Sequence, residues 1–153
     1  MTLPRDAMNP RRGPAVTRFT VSTRSRQQML DITSQVRSAI GERGVSSGIC
    51  YVFVPHTTAG ICIQENADPD VQHDVLAKLD RLVPRDESYY RHAEGNSDSH
   101  LKTMMVGSSE TLLIDGGGPV LGTWQGVYLC EFDGPRQRTV CLSITSHDRP
   151  DLD

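Results

Sequence analysis

The chain has 153 residues, 23% charged and 37% hydrophobic, with a formal net charge of -3 from 16 Lys+Arg against 19 Asp+Glu. That length suits one domain with a sizeable core, and the slight acidic balance argues against a nucleic-acid partner held by general electrostatics. No apolar run approaches the roughly 20 residues that a bilayer crossing needs, and the opening MTLPRDAMNPRRGP has no secretory core, so the expectation is a cytoplasmic protein without a membrane partner.

Residues 1–14 lack periodicity and read as a flexible arm; 15–146 read as one domain and 147–153 as a C-terminal tail. AVTRFTVST (15–23) alternates like a strand, and Met29, Leu30 and Ile32 suggest a short second one. Ile32, Val36 and Ile40 recur every four residues, which predicts a helix over about 33–43, with Gly41 and Gly44 near its end. SGICYVFV (47–54) and AGICIQEN (59–66) read as strands joined by PHTT, which suits a hairpin or tight connection. The first of them is apolar on both faces, which implies burial on both sides.

Asp68-Pro69 is the best-marked helix start: the carboxylate can cap and proline suits the first helical position. The helix, 69–83, has an apolar stripe of Val71, Val75, Leu79 and Leu82. At 100° per residue, His73 lies about 140° from the middle of that stripe, so it faces solvent, a ligand or another subunit. After a loop, Gly95 to Ser99 offers turn and capping chemistry, and Leu101, Met104 and Met105 follow at helical spacing. A helix start beside His100 and Lys102 can hold an anion on its free N–H groups; capping alone accounts for the same residues. The last third reads as strands over 110–115, 120–132 and 138–146, with turns at Gly116 to Pro119 and Asp133 to Pro135. The fold class is α+β: a mainly antiparallel, jelly-roll-like β-sandwich with two or three helices.

The stretch Pro55 to Asp74 concentrates polar chemistry beside an apolar strand, with His56, Glu65, Asn66, Asp68 and His73 together. His56, His73 and His100, with Asp68 or Glu65, are ligand types for zinc or a similar divalent ion, although no HxH or HExxH spacing forces them together. His73 with Asp70 three residues earlier could form a His–carboxylate pair; a solvated helix face explains the same spacing. There is no GxSxG, Walker A or GxGxxG pattern. Cys50, Cys62, Cys130 and Cys141 form no CxxC and read as small buried hydrophobes. Trp124 and Gln125 sit between two glycines, where a backbone or a flat ligand can approach closely.

Three motifs, HTTAGICIQENADPDVQHD, EGNSDSHLKTMMVG and LGTWQGVYLCEFD, in this order and spacing, resemble the YjbQ-like family, often labelled secondary thiamine-phosphate synthases. The resemblance covers about residues 15–146. It implies a β-sandwich-like subunit that assembles as a homotrimer, with a pocket near a subunit boundary. It also implies a weak transferase activity that joins a pyrimidine diphosphate to a thiazole phosphate and releases pyrophosphate, with small phosphorylated molecules as substrates. Such chemistry calls for anion neutralisation, usually by Mg²⁺ and basic groups. Carried onto this chain, His73, His100 and Asp68 are the catalytic candidates. His56, Asn66, Ser99, Trp124 and Gln125 are the substrate-binding ones. His73 and His100 are also the candidate ligands of a divalent metal, Mg or Zn. Metal-dependent hydrolysis of a small metabolite, or a non-enzymatic trimer that binds a ligand, are the alternatives from other classes.

Overall fold

A computed structural model describes residues 15–148. The expected arm over 1–14 and the tail beyond 148 lie outside the described residues. The elements, in chain order, are β1 (Thr17–Ser22), β2 (Gln28–Asp31), α1 (Thr33–Arg43), β3 (Gly48–Phe53), β4 (Ala59–Glu65), α2 (Pro69–Leu82), α3 (Ser97–Val106), β5 (Ser109–Asp115), β6 (Gly118–Pro119), β7 (Gln125–Glu131) and β8 (Gln137–Ser146). They make an α+β fold with three helices and two antiparallel sheets. One sheet has five strands in the order β1-β8-β3-β5-β6, the other three in the order β2-β7-β4.

The main core takes side chains from both sheets and α1: Val36 and Ile40 from the helix, Val52 and Leu142 from the larger sheet, Ile61, Val127 and Leu129 from the smaller. Strict alternation puts Cys50, Val52 and Val54 inward. The four-residue apolar spacing makes α1 as expected, and Gly44 ends it in the left-handed region with φ 62°. A smaller cluster of Tyr128, Cys130 and Phe132 packs on the other face of β7, where Leu76 and Leu79 of α2 and Val106 of α3 cover it.

Four expectations are corrected. The PHTT link is not a hairpin: β3 and β4 belong to different sheets, so the link carries the chain from one to the other. The outer face of β3 is not buried within the subunit, where Tyr51 and Phe53 stay 47% and 45% exposed. The strand expected over 120–132 begins only at Gln125, because Gly122 to Gln125 form a turn with the Gln125 N–H donating to the Gly122 carbonyl at 3.0 Å. Trp124 therefore stands on that turn, 63% exposed, rather than within a strand.

The fourth correction concerns α3, which begins at Ser97, earlier than its apolar residues indicate. It buries Asp98, Ser99, Lys102 and Thr103 and leaves Leu101, Met104 and Met105 exposed. A helix does this only if its inward charges are paired, since a bare buried charge costs several kcal/mol or more.

Candidate active site

The pairing that turns α3 inside out also builds the site. Asp98 has no exposed surface, and Arg26, from the β1–β2 loop, grips it with both guanidinium nitrogens at 2.8 and 3.0 Å. Lys102, one turn later and fully buried, donates to Asp98 at 3.0 Å, to Asp80 of α2 at 2.6 Å and to Gln27 at 3.1 Å. All three ammonium protons thus have acceptors. Burial pushes the Asp98 carboxyl pKa up, but hydrogen bonds and charge from Arg26 and Lys102 outweigh it, and the net shift is downward. Ser99 is anchored as well: its hydroxyl donates to the Phe132 carbonyl at 2.6 Å and accepts from Arg26 at 3.3 Å.

These bonds fix the start of α3 against the end of β7 and leave His100 on the other side of the helix. There His100 meets His92 edge to face, with ring centroids 5.2 Å apart. The two imidazoles line a surface cavity of about 650 Å³. Tyr89, Tyr90 and Leu101 make its apolar walls, and Arg91 and Ser97 complete the rim. Tyr89 and Tyr90 contact each other edge to face at 5.2 Å, and the Tyr90 hydroxyl donates to the Pro84 carbonyl at 3.2 Å. That bond ties the loop before α3 into one shape.

A second buried cluster lies next to the first. Glu131, at the end of β7, is fully buried and accepts hydrogen bonds from both Arg138 guanidinium nitrogens, the Thr23 hydroxyl and the Asp133 N–H. Burial raises its pKa, and these donors, Arg138 foremost, bring it below the usual carboxylate range. Arg138 also reaches the Thr58 hydroxyl at 2.8 Å. His56 stands at the edge of this cluster, where its Nε2 accepts the Thr139 N–H at 2.9 Å. Burial first, then the Arg138 charge, lowers its pKa, which keeps the ring neutral and able to accept.

The remaining candidates lie elsewhere. The Asn66 N–H donates to the Trp124 carbonyl at 2.8 Å, and the Asn66 side chain reaches the Gln125 carbonyl at 3.5 Å. Gln125 also folds back to accept the Gly122 N–H at 2.8 Å. Asn66, Trp124 and Gln125 are therefore one group, at the end where β4 finishes and β7 starts. Asp68 caps α2 as expected, accepting the Asp70 N–H at 2.9 Å. His73 is exposed on α2, its Nδ1 3.1 Å from the carboxylate of Asp74 rather than paired with Asp70. Ser99 and His100 lie at the opposite end of β7, beside Phe132. The seven-residue step from Gln125 to Phe132 spans roughly 20 Å of strand. One subunit thus brings Ser99 and His100 together, brings Asn66, Trp124 and Gln125 together, and keeps the two groups apart. His73 and His100, the candidate metal ligands, stand on different helices with different partners. Among the described residues no group of three or more His, Cys, Asp or Glu side chains is arranged to hold a metal ion. No helix among them is long and apolar enough to cross a membrane.

The family model for UPF0047 protein YjbQ-like matches residues 17–147. The chain belongs to the YjbQ-like family. It is 48% identical to the UPF0047 protein MJ1081 of Methanocaldococcus jannaschii over 127 residues, covering 83% of this chain and 91% of that one. It is also 48% identical to YugU of Bacillus subtilis, over 81% of this chain and 94% of the relative. Among solved structures, a YjbQ/UPF0047 family protein of Clostridium acetobutylicum superposes with a TM-score of 0.82 at 49% identity, covering 84% of this chain and 99% of that one. A YbjQ-like protein of unknown function from Sulfolobus solfataricus gives 0.82 at 30% identity, covering 86% and 96%. All the candidate residues fall within the YjbQ-like match.

Sequence reasoning did not select His92, Tyr89, Tyr90 and Arg91, because a loop has no periodicity to mark a wall. Nor did it select Arg26, Asp98, Glu131 and Arg138. Asp98 and Lys102 carry one usable signal, an opposite-charge pair at i, i+4.

Proposed function

We propose that this YjbQ-like protein binds a small phosphorylated heterocycle in the cavity beside His92 and His100 and catalyses transfer of the thiamine-phosphate synthase type. The observation that carries the reading is the pair of imidazoles on the wall of an aromatic cavity at the start of α3. The family resemblance supplies the reaction class. In it the pyrimidine methylene breaks its bond to the diphosphate oxygen and forms a bond to the thiazole nitrogen, and pyrophosphate leaves. Tyr89 and Tyr90 offer flat apolar surface to a ring. Arg91 offers a cationic donor to phosphate oxygens, the His92 and His100 rings offer N–H donors, and the first N–H groups of α3 add positive potential.

The second group of candidates enters through assembly. In a homotrimer of sandwich-like subunits, Asn66, Asp68, His73, Trp124 and Gln125 of one subunit complete the cavity of the next. Their distance from His100 within one subunit supports this, as do the exposure of Trp124 and the uncovered apolar faces of β3 and α3. In that arrangement Trp124 packs the flat ring and Asp68 holds a ring nitrogen. A divalent ion, Mg²⁺ or Zn²⁺, would act on the substrate phosphates; the donor set of one subunit makes no cage for it, and no step is routed through it. The proposed setting is the cytoplasm.

The test is turnover of the aminopyrimidine diphosphate and the thiazole phosphate by purified protein, with His92→Ala and His100→Ala beside it. Thiamine phosphate and pyrophosphate released in equal amounts, with each variant slowed at least tenfold, is the result expected. The loss corresponds to about 1.4 kcal/mol or more of transition-state stabilisation. No product from the unmodified protein removes the activity. Product at equal rates from all three removes the cavity.

A further inference from the structure

A pair of thiols outside this cavity has chemistry that the proposed function does not use. Cys62 on β4 and Cys130 on β7 lie with their sulfurs 3.5 Å apart, and both are free thiols. The register pairs Cys62 with Tyr128 and Cys130 with Gly60, so the two cysteines are diagonal neighbours across adjacent strands. Gly60 makes the approach possible. It puts no side chain opposite Cys130, and a Cβ there would meet the Gly107 carbonyl and Val106 of α3. The pair therefore lies on the helix-covered face of the smaller sheet, among Leu76, Leu79 and Val106.

The two thiols are unequal. Cys62 is half-buried and Cys130 fully so. The hydrogen bond from Cys130 lowers the Cys62 pKa, against burial and the nearby Glu110 charge, whereas bonding to Cys62 and burial raise that of Cys130. The other two cysteines, Cys50 and Cys141, are buried, and burial pushes the Cys50 thiol up to about 11.

We infer that Cys62 and Cys130 form a modification site for reversible two-electron oxidation by a hydroperoxide. The Cys62 thiolate attacks an oxygen of hydrogen peroxide, the O–O bond breaks and a sulfenic acid forms, and the leaving hydroxide takes up the proton that the Cys62 thiol had released and departs as water. The Cys130 sulfur then attacks the sulfenyl sulfur; the S–O bond breaks, the S–S bond forms and a second water leaves. Two thiols lose two electrons and two protons, and hydrogen peroxide becomes two waters. The sulfurs must close from 3.5 Å to about 2.05 Å. Diagonal strand neighbours have Cα atoms roughly 7–8 Å apart, beyond what a disulfide spans without backbone movement, so β4 and β7 draw together as the bond forms, and a small thiol reverses the strained bond readily.

The experiment treats the reduced full-length protein with hydrogen peroxide and follows it by intact mass, thiol titration and peptide mapping. The expected result is loss of two hydrogens, loss of two of the four free thiols, and a single crosslinked Cys62–Cys130 peptide, all reversed by dithiothreitol. In Cys130→Ser the expected product is a sulfenic acid at Cys62 that a dimedone probe traps, and in Cys62→Ser the Cys130 thiol survives. Three results overturn the inference, and the unmodified protein decides them whatever the variants do. They are oxygen addition at Cys62 with no crosslink, a crosslink that uses Cys50, Cys141 or a second chain, and persistence of all four thiols in excess peroxide.

Discussion

Replacing Lys102 with methionine tests the buried network on which the cavity rests. Methionine keeps most of the apolar stem and removes the ammonium, so the perturbation is mainly electrostatic. Lys102 gives hydrogen bonds to Asp98, Asp80 and Gln27. Asp80, half exposed, regains water when its partner goes, but Asp98 has no exposed surface and keeps only Arg26. Breaking a buried pair by removing one partner costs about 3–5 kcal/mol. The surviving two-pronged Arg26 contact puts Lys102→Met at the lower end, about 3 kcal/mol. For a chain of this size that is a fall in melting temperature of roughly 10 °C. Urea unfolding at one fixed protein concentration measures it, with an unchanged slope showing that stability alone has moved. Lys78→Met, at an exposed position on α2, is the control and stays within about 0.5 kcal/mol of the parent. A Lys102→Met protein as stable as that control refutes the reasoning, because it means Lys102 is not what keeps Asp98 inside.

Acid sensitivity follows from the same groups. Asp98, Asp80, Glu131 and Asp133 all have pKa values lowered by their partners in spite of burial. Their stabilisation is complete above the unfolded values of about 4 and is lost as pH falls through that range. His56, also lowered, begins the decline near its unfolded value of about 6.5, while Glu110, raised by burial, works in the opposite sense. Urea midpoints should therefore fall steadily from pH 7 to pH 3, and midpoints flat to pH 3 contradict the carboxylate pairing. Gly60→Ala should destabilise by about 2 kcal/mol, since its Cβ would sit 2.6 Å from the Gly107 carbonyl, which already accepts the Ile61 N–H. A neutral Gly60→Ala would show that α3 does not end against β4.

Legibility in the sequence followed the physics of each element. The apolar period of Ile32, Val36 and Ile40 and the Asp68-Pro69 start were readable because burial and capping act locally. The exchange of sheets between β3 and β4 was not, since turn residues report a reversal and carry no information on which strand becomes the neighbour. Apolar residues on both faces of 120–124 imitated a strand where Gly122 turns the chain. The orientation of α3 was not readable. Leu101, Met104 and Met105 recur at helical spacing yet stay exposed, and the distant partners Arg26 and Asp80 are what let Asp98 and Lys102 lie inside. At the site, His100 and Ser99 were selected, but they do different work: Ser99 anchors the helix and His100 faces the cavity. His56 was selected as a ligand contact and is bound to Thr139.

The most direct measurement of the central claim is a calorimetric titration of the protein with the thiazole phosphate, repeated on His100→Ala. Saturable binding to the unmodified protein, weakened at least tenfold by the substitution with no change in melting temperature, is the result predicted. Binding of equal strength to both proteins, or none to the unmodified one, contradicts a phosphorylated-substrate site beside His92 and His100.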